Sequence, residues 1–169
     1  TEAARLFSQI HDLGFLVERK EDQAYCESCD RFLPDRYIVG ICPHCDKPGA
    51  RGDQCDDCGR LTEPERLISP ECRTCFSIPV WRETNHLYFD LPRFEMDLAT
   101  WVDSHPEWRR NAIGQTRSWL DEGLKQRAVT RDLTWGIPVP VKGHTDKKIY
   151  VWFEAVMGYL TCSKEWAQS

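Results

Sequence analysis

The chain has 169 residues, of which 41% are hydrophobic and 29% are charged, a composition typical of a soluble globular protein. Its length allows one medium domain, or one domain with a small module, and it is sufficient to bury a core, which excludes a disordered tail. The longest apolar runs are far shorter than the ~18 residues of a membrane span, and the acidic N-terminal segment does not resemble a signal peptide. We therefore expect a cytoplasmic protein without a membrane partner.

The charge balance argues against two classes of stand-alone partner. The chain carries 22 basic and 27 acidic side chains, a formal net charge of −5. Modules that bind nucleic acid or membrane surfaces on their own usually present a basic surface. The sequence begins with Thr1 and ends at Ser169 without a helix stop signal, so we also expect it to be a piece of a longer protein.

The first predicted element is an amphipathic helix. Its apolar residues recur at helical spacing, and a glycine follows as the stop signal: Ala3, Leu6, Phe7, Ile10, Leu13 and then Gly14.

Eight of the nine cysteines form four Cys-x-x-Cys pairs, which are Cys26/Cys29, Cys42/Cys45, Cys55/Cys58 and Cys72/Cys75. Two intervening residues allow both sulfurs of a tight turn to face one ion, so each pair supplies half of a tetrahedral zinc site. Disulfides within such pairs are strained and usually redox-active, which makes four in succession an unattractive alternative. The pattern predicts two closed structural zinc sites, and the isolated Cys162 is expected to be a small buried side chain.

Spacing alone leaves the pairing of these cysteines open. The loops between successive pairs contain 12, 9 and 13 residues. Closing the short central loop first slightly favours a nested arrangement over sequential or interleaved pairing, but the entropic difference is small. His44 lies inside one pair and is an alternative ligand, although four thiolates already complete a tetrahedral site.

Downstream of the cysteines, a short strand over Leu87–Leu91 is predicted to end at Pro92, and a helix follows from Phe94 to about Asp103. Ser104-His105-Pro106-Glu107 matches a capping box, which predicts a further helix ending near Gly123. The tryptophans of these helices are expected to pack in the core.

The last part of the sequence predicts α/β structure. Trp135–Pro140 suits an edge strand or extended loop, and Gly143–Asp146 a turn. The apolar run Ile149–Phe153 predicts a strand covered on both faces, as in a parallel sheet, and a terminal helix is expected from about Gly158. No phosphate loop, nucleophile elbow or open metal site is present, so an enzyme fragment and a zinc-ribbon interaction module both remain possible.

Several segments, in order along nearly the whole chain, carry a family resemblance: Arg31–Tyr37, Cys42–Cys45, Gly52–Cys55, Cys58-Gly59, Thr84–Pro92, Asn111, Gly123-Leu124, Thr130–Pro138 and Tyr150–Tyr159. These segments resemble methionyl-tRNA synthetases, which are class I aminoacyl-tRNA synthetases. The resemblance implies an α/β protein with a zinc-knuckle subdomain. In that family the knuckles belong to the connective peptide, an insertion in a Rossmann-type catalytic domain with a parallel sheet.

The resemblance also implies a division of the chain. Residues 1–17 would be a helix leading from the catalytic domain, and residues 18–129 the connective peptide, with knuckles at 24–83 and two helices. Residues 130–169 would begin the second part of the catalytic domain. Family members with four cysteine pairs hold two zinc ions, and members with only the inner pairs hold one, which supports nesting. The implied ligands are Cys42, Cys45, Cys55 and Cys58 for one ion, and Cys26, Cys29, Cys72 and Cys75 for the other.

Residues of the implied active site follow by position. Trp152, Ala155 and Tyr159 would line the methionine side-chain pocket, and Arg131 would lie near the catalytic centre, where its charge could hold phosphates or a carboxylate. The alternative for Arg131 is a structural ion pair, for example with Asp132. Val156 occupies a position where many members have proline, which would slightly alter one wall of the amino-acid pocket.

The implied activity is that of methionine–tRNA ligase, which uses methionine, ATP with magnesium, and tRNA(Met). Both ATP-binding signatures of class I synthetases, of the His-Ile-Gly-His and Lys-Met-Ser-Lys-Ser types, are absent from the sequence. The chain alone is therefore expected to be inactive and to need the remainder of the catalytic domain. We expect the zinc module to shape the approach of the tRNA acceptor end. The rival hypothesis is a free-standing zinc ribbon that binds nucleic acid or protein.

Overall fold

A computed structural model describes residues 1–168 of the chain. These residues contain four α-helices: α1 (Glu2–Asp12), α2 (Glu95–Asp103), α3 (Arg110–Asp121) and α4 (Val151–Gln168). They also contain nine strands: β1 (Leu16–Cys26), β2 (Arg31–Phe32), β3 (Ile38–Ile41), β4 (Pro48–Arg51), β5 (Ile68–Cys72), β6 (Val80–Phe89), β7 (Arg127–Ala128), β8 (Thr130–Arg131) and β9 (Lys148–Ile149). Single 3₁₀ turns lie at Asp35–Tyr37, Pro64–Arg66 and Leu91–Phe94.

The chain divides into two compact units. One consists of Thr1–Arg19 together with His86–Ser169, and the other is the continuous segment Lys20–Asn85. The chain leaves the first unit along β1 and returns to it along β6, and these strands belong to a four-stranded sheet of order β2-β1-β6-β7.

The Lys20–Asn85 unit is built on a three-stranded antiparallel sheet of order β4-β3-β5. The register pairs Val39 with Arg51 on one side and Glu71 on the other, and both ladders shift near Ile41. The buried cluster of this unit contains only three large aliphatic side chains, because cysteine and alanine fill most of it: Ala24, Cys26, Leu33, Ile38, Cys42, Ala50, Cys55, Leu67 and Cys72. The sulfur atoms are therefore a large part of what this unit buries.

Gly52 follows β4 where two backbone segments meet. Its amide donates to the carbonyl oxygens of Asp35 and Ile38, at 3.1 and 3.0 Å. A Cβ atom at this position would lie 2.6 Å from the carbonyl oxygen of Asp35 and 3.0 Å from Cγ of Pro64. Only glycine fits this crossing without displacement of the backbone.

In the other unit, α1 and α4 pack against each other. The ring of Phe7, which is fully buried, meets the ring of Phe153 edge-on, with centroids 6.0 Å apart. Helix α1 begins at the cap Thr1, whose Oγ1 accepts a hydrogen bond from the amide of Ala4, and it ends at Asp12, shortly before Gly14. The predicted N-terminal helix is confirmed.

Two of the predicted elements after the cysteines are confirmed and one is wrong. Strand β6 ends at Phe89, before Pro92, and α2 ends at Asp103 as expected. The capping box at Ser104 is not formed, because the Ser104 hydroxyl donates back to the carbonyl oxygen of Trp101 at 2.7 Å. Helix α3 therefore begins only at Arg110, and it ends close to Gly123 as predicted.

The strand predicted over Ile149–Phe153 is also wrong. Strand β9 ends at Ile149, and α4 begins at Val151, where the amides of Phe153 and Glu154 donate to the carbonyl oxygen of Tyr150. A continuous apolar run has neither helical nor strand period, and the contacts of Phe153 with α1 decide for the helix. Among residues 130–168 the paired strands are β8 and β9, which are antiparallel, so the expected parallel sheet is not formed there.

The predicted burial of several side chains is wrong as well. Trp101 and Trp119 are 53% and 56% exposed, and Cys162 is exposed on α4. Trp101 instead packs edge-on against the neighbouring Trp108 ring, with centroids 4.8 Å apart. Within the described residues, no helix combines the length and the apolar character needed to cross a membrane.

Candidate metal centres and ligand cavity

The structure brings the eight paired cysteines together in two groups of four. One group contains Cys42, Cys45, Cys55 and Cys58, and the other Cys26, Cys29, Cys72 and Cys75. Within each group all four sulfur atoms lie within 4.8 Å of one another. This is the nested arrangement, with the inner two pairs in one group and the outer two in the other. His44 belongs to neither group.

The spacing of the sulfur atoms fits a tetrahedral ion. Sγ–Sγ distances are 3.8 Å for Cys45–Cys55 and 3.9 Å for both Cys42–Cys58 and Cys29–Cys72, and the Cys26–Cys75 distance is 3.4 Å. Four ligands at ~2.3 Å around a tetrahedral zinc ion lie ~3.8 Å apart. A disulfide would bring two sulfurs to ~2.05 Å. The four-thiolate set is soft and closed, so these groups fit structural zinc rather than a hydrolytic metal with an open position.

Each pair is built by the same turn. The residue after the second cysteine has a left-handed backbone in all four: Asp30 (φ 51°), Asp46 (φ 58°), Gly59 (φ 70°) and Phe76 (φ 61°). Glycine and aspartate enter this region readily, whereas phenylalanine does so only when its surroundings require it. The repeated geometry turns both sulfurs of each pair towards one point.

Hydrogen bonds to the sulfurs change the acidity of individual thiols. The hydroxyl and amide of Ser77 lower the pKa of Cys75 to about 6. Burial alone would raise the pKa of Cys42, but the amides of His44 and Cys45 donate to its sulfur and lower the pKa to about 7.

Each group also contains at least one thiol that is less acidic than usual. Hydrogen bonding with the side chains of Cys75 and Cys26 raises the pKa of Cys29 to about 12. At Cys45 the amide of Lys47 acts in the opposite direction, but burial and neighbouring thiols raise the pKa to about 12. Crowded thiols cannot all ionise together, and a divalent cation at their centre is what allows four thiolates to coexist.

A separate feature is a cavity of about 750 Å³ in the unit that contains α4. Aromatic and aliphatic side chains line most of it, and Arg127 and Arg131 supply positive charge: Tyr88, Phe89, Leu91, Gln126, Arg127, Ala128, Val129, Arg131, Tyr150, Trp152, Phe153, Val156 and Met157. A mostly apolar cavity with few polar groups is typical of a small-molecule site.

Arg131 is held in place at this cavity. Its Nη1 donates to the carbonyl oxygens of Thr130 at 2.8 Å and Ala128 at 3.3 Å. The guanidinium carbon lies 4.0 Å from the ring centroid of Tyr150, within range for a cation–π contact. The carboxylate of Asp132, which was the alternative partner, contacts Lys147 at 2.5 Å and His86 at 3.1 Å.

The structure places the three other predicted binding residues on α4. Trp152 lines the cavity, whereas Ala155 and Tyr159 lie outside its lining, and Tyr159 is 77% exposed. The i, i+3, i+7 spacing sets all three on one face of the helix. Val156, which the resemblance places at one wall of the amino-acid pocket, lines the cavity one turn after Trp152.

Sequence reasoning missed a buried polar cluster beside Arg131. His86, Thr130 and Lys147 are buried and Asp132 is nearly so, and they contact one another. No local signal marks Lys147, because its burial depends on a carboxylate supplied by Asp132 from across a loop.

Comparisons with known proteins give relatives along the whole chain. The methionine–tRNA ligases of Dehalococcoides mccartyi and Treponema denticola are both 47% identical to it, over 99% and 96% of this chain and 30% and 21% of the relatives. The enzyme of that name from Bacillus cereus is 48% identical over 96% of this chain and 30% of its own length. The chain thus spans less than a third of the length of these relatives.

Solved structures show the same fold. The free-state Mycobacterium tuberculosis methionyl-tRNA synthetase matches 95% of this chain and 28% of its own, with a TM-score of 0.57 and 18% identity. The same enzyme in complex with methionyl-adenylate gives the same TM-score and covers 27% of that chain. The sequence model described as "tRNA synthetases class I (M)" matches residues 1–169. Since that match includes every residue, the chain belongs to the class I tRNA synthetase (M) family.

Proposed function

We propose that this chain is part of a methionine–tRNA ligase that activates methionine with ATP and transfers it to tRNA(Met) in the cytoplasm. The observation that carries the proposal is the 47% identity to relatives of that name over 99% of the chain. The free-standing zinc ribbon is less favoured, because the family match extends over the helices and the cavity and is not confined to the cysteines.

The proposal assigns a role to each part of the chain. Residues 18–129 are the connective peptide, with the knuckles at 24–83, and residues 1–17 and 130–169 are parts of the catalytic domain that continue into the rest of the protein. The Rossmann-type parallel sheet is formed with that remainder. Exposed apolar residues on α4, which include Val151, Leu160 and Tyr159, support a covering surface supplied by it.

The two four-cysteine groups each hold a structural zinc ion in this proposal. Their sulfur spacing and all-thiolate composition support zinc over oxygen-preferring metals. Because neither site has an open ligand position, the ions stabilise the fold of the Lys20–Asn85 unit and take no part in the chemistry. We propose that this unit shapes the approach of the tRNA acceptor end.

The reaction would take place at the cavity beside α4, completed by residues outside this chain. The methionine carboxylate attacks the α-phosphate of ATP, pyrophosphate leaves, and the acyl group then passes to tRNA. Trp152, Ala155 and Tyr159 would contact the methionine side chain, because an aromatic surface suits a polarisable thioether. The permanently charged guanidinium of Arg131 would offset the negative charge of the carboxylate or phosphates, with ATP bound together with magnesium.

The test is methionine-dependent ATP–pyrophosphate exchange. A full-length protein that contains this sequence should catalyse the exchange, whereas the 169-residue chain should not, since both ATP-binding signatures lie outside it. Exchange with another amino acid but not with methionine would contradict the proposal.

The methionine pocket has its own test in the full-length protein. Replacement of Trp152 by alanine should raise the KM for methionine about tenfold or more, through lost apolar contact. Trp119→Ala, which removes an exposed tryptophan of α3, is the matched control and should leave the KM unchanged. Equal effects of the two variants would argue against a pocket at Trp152.

A further inference from the structure

Four polar side chains form a connected cluster behind Arg131. The Nζ of Lys147 donates to Oδ1 of Asp132 at 2.5 Å, and Nε2 of His86 lies 3.1 Å from Oδ2 of the same carboxylate. The Nδ1 of His86 is 2.9 Å from Oγ1 of Thr130, which accepts the amide of Leu87 at 3.1 Å. The side chains of His86 and Lys147 are only 1% and 7% exposed.

The network has a consistent assignment of protons. The hydroxyl of Thr130 accepts from the amide of Leu87 and has one proton that it can donate to Nδ1 of His86. In that tautomer the imidazole carries its proton on Nε2, 3.1 Å from Oδ2 of Asp132. The ammonium group of Lys147 lies against the carboxylate of Asp132, so these two side chains pair opposite charges.

Stability alone does not explain such a cluster. A buried ion pair is often no more stabilising than apolar side chains of similar volume, because both charges lose their hydration. Its position in the chain is more informative, since Thr130 and Asp132 are the two sequence neighbours of Arg131. Strands β8 and β9 are only two residues long, so few backbone hydrogen bonds fix this segment, and the buried side chains on either side of Arg131 anchor it.

The orientation of Arg131 depends on this anchored backbone. Its Nη1 donates to the carbonyl oxygen of Thr130, and its guanidinium stacks on the ring of Tyr150 at the edge of the cavity. A rotation of the peptide between Thr130 and Arg131 would carry the acceptor, and with it the guanidinium, away from the cavity.

We propose that His86, Asp132 and Lys147 are positioning residues that hold Arg131 at the reaction centre by clamping its two neighbours. The inference rests on the role of Arg131 under the proposed function. Its distinguishing consequence is epistasis: damage to the cluster affects the reaction only through Arg131.

The experiment measures ATP–pyrophosphate exchange by the full-length protein. Asp132→Asn should lower kcat by about 10- to 100-fold, because a misplaced group loses its alignment with the reacting atoms, with KM for methionine changed little. In an Arg131→Ala background the same change should lower kcat by no more than about twofold. Asp103→Asn, which removes an exposed carboxylate paired with Arg117, is the matched control and should leave kcat unchanged.

Further variants separate positioning from folding. Thr130→Val should lower kcat, and Thr130→Ser, which keeps the hydroxyl, should restore it. Thermal unfolding of both variants checks that they are folded. If Asp132→Asn does not fold, the charge-neutral pair Asp132→Asn with Lys147→Met serves for the same comparison. A full loss from Asp132→Asn in the Arg131→Ala background would overturn the positioning role and leave the proposed function intact. Unchanged exchange in Arg131→Ala itself would overturn the role of Arg131 at the reaction centre and the positioning role of His86, Asp132 and Lys147. Exchange that still depends on methionine would continue to support the ligase.

Discussion

The sulfur atoms of Cys26 and Cys75 lie 3.4 Å apart although 49 positions separate them in the sequence. Cys29 and Cys72 repeat the relationship at 3.9 Å over 43 positions. The outer cysteine group thus joins the beginning and the end of the Lys20–Asn85 unit. An ion bound there closes a long loop. Without the ion, the small core of this unit alone would have to offset the conformational entropy lost on closing that loop.

We expect removal of the metal to unfold residues 24–83. Four of the nine residues in the buried hydrophobic cluster of this unit are cysteines, so little apolar surface remains to stabilise it. Zinc binding to such modules contributes about 10–16 kcal/mol of apparent free energy, most of what would hold the unit together. Limited proteolysis after treatment with a strong chelator should cleave within 24–83 first, and circular dichroism should change in parallel.

The control for this prediction is zinc itself. Added zinc should restore protection from proteolysis, whereas magnesium should not. Elemental analysis of protein purified without chelator should give two zinc ions per chain. Unchanged proteolysis and circular dichroism after complete metal removal would contradict the prediction.

The nested grouping predicts the zinc content of paired variants. Cys26→Ser with Cys72→Ser removes two ligands of the same group, so one of two ions should be lost. Cys26→Ser with Cys42→Ser damages both groups, so neither ion should be held tightly. Sequential pairing reverses the two results. Elemental analysis of both purified variants therefore distinguishes the arrangements.

Gly52 offers a test of backbone packing that does not involve the metal. A Cβ at this position would meet backbone at 2.6 Å, so Gly52→Ala should lower the free energy of unfolding by about 1–3 kcal/mol. Gly114 lies within α3 with open space around it, and Gly114→Ala should stabilise by up to about 1 kcal/mol. Urea titrations of the two variants check the opposite signs. A neutral Gly52→Ala would show that the Asp35 backbone can move aside.

The cysteine pairs could be predicted from sequence because their geometry is local. Two residues between cysteines suffice to orient both sulfurs, whatever the rest of the fold. Which pairs combine is a long-range property, and spacing favoured nesting only weakly, so the family resemblance carried more weight. The left-handed backbone of Phe76 carried no sequence signal at all, since its residue type disfavours that conformation.

The incorrect predictions concern features that depend on contacts between distant parts of the chain. Ile149–Phe153 is apolar without a period, so only its contact with α1 decides between strand and helix. The exposure of Trp101 and Trp119 depends on whether another surface covers them, which composition does not report. The burial of Lys147 follows from the carboxylate of Asp132 and could not be read from either residue alone.

As the pH falls, the outer zinc ion should be released at a lower pH than ordinary thiol ligands would allow, because Ser77 lowers the pKa of Cys75. A thiol whose pKa is lowered to about 6 stays deprotonated as the pH falls, so Cys75 keeps its metal bond to lower pH than a thiol with the ordinary value of 9. In Ser77→Ala the hydroxyl donor is lost while the amide remains, so the pKa of Cys75 rises part of the way back. Protons then compete better with zinc for Cys75, and the midpoint of zinc release should move to higher pH by a few tenths of a unit.

A titration with a coloured zinc chelator follows the release of both ions. The inner group should keep its midpoint because Ser77 contacts only the outer group. Ser163→Ala, which removes an exposed hydroxyl on α4, is the control and should change neither midpoint. A shift to lower pH, or an equal shift of both ions, would show that Ser77 does not act through the thiolate of Cys75.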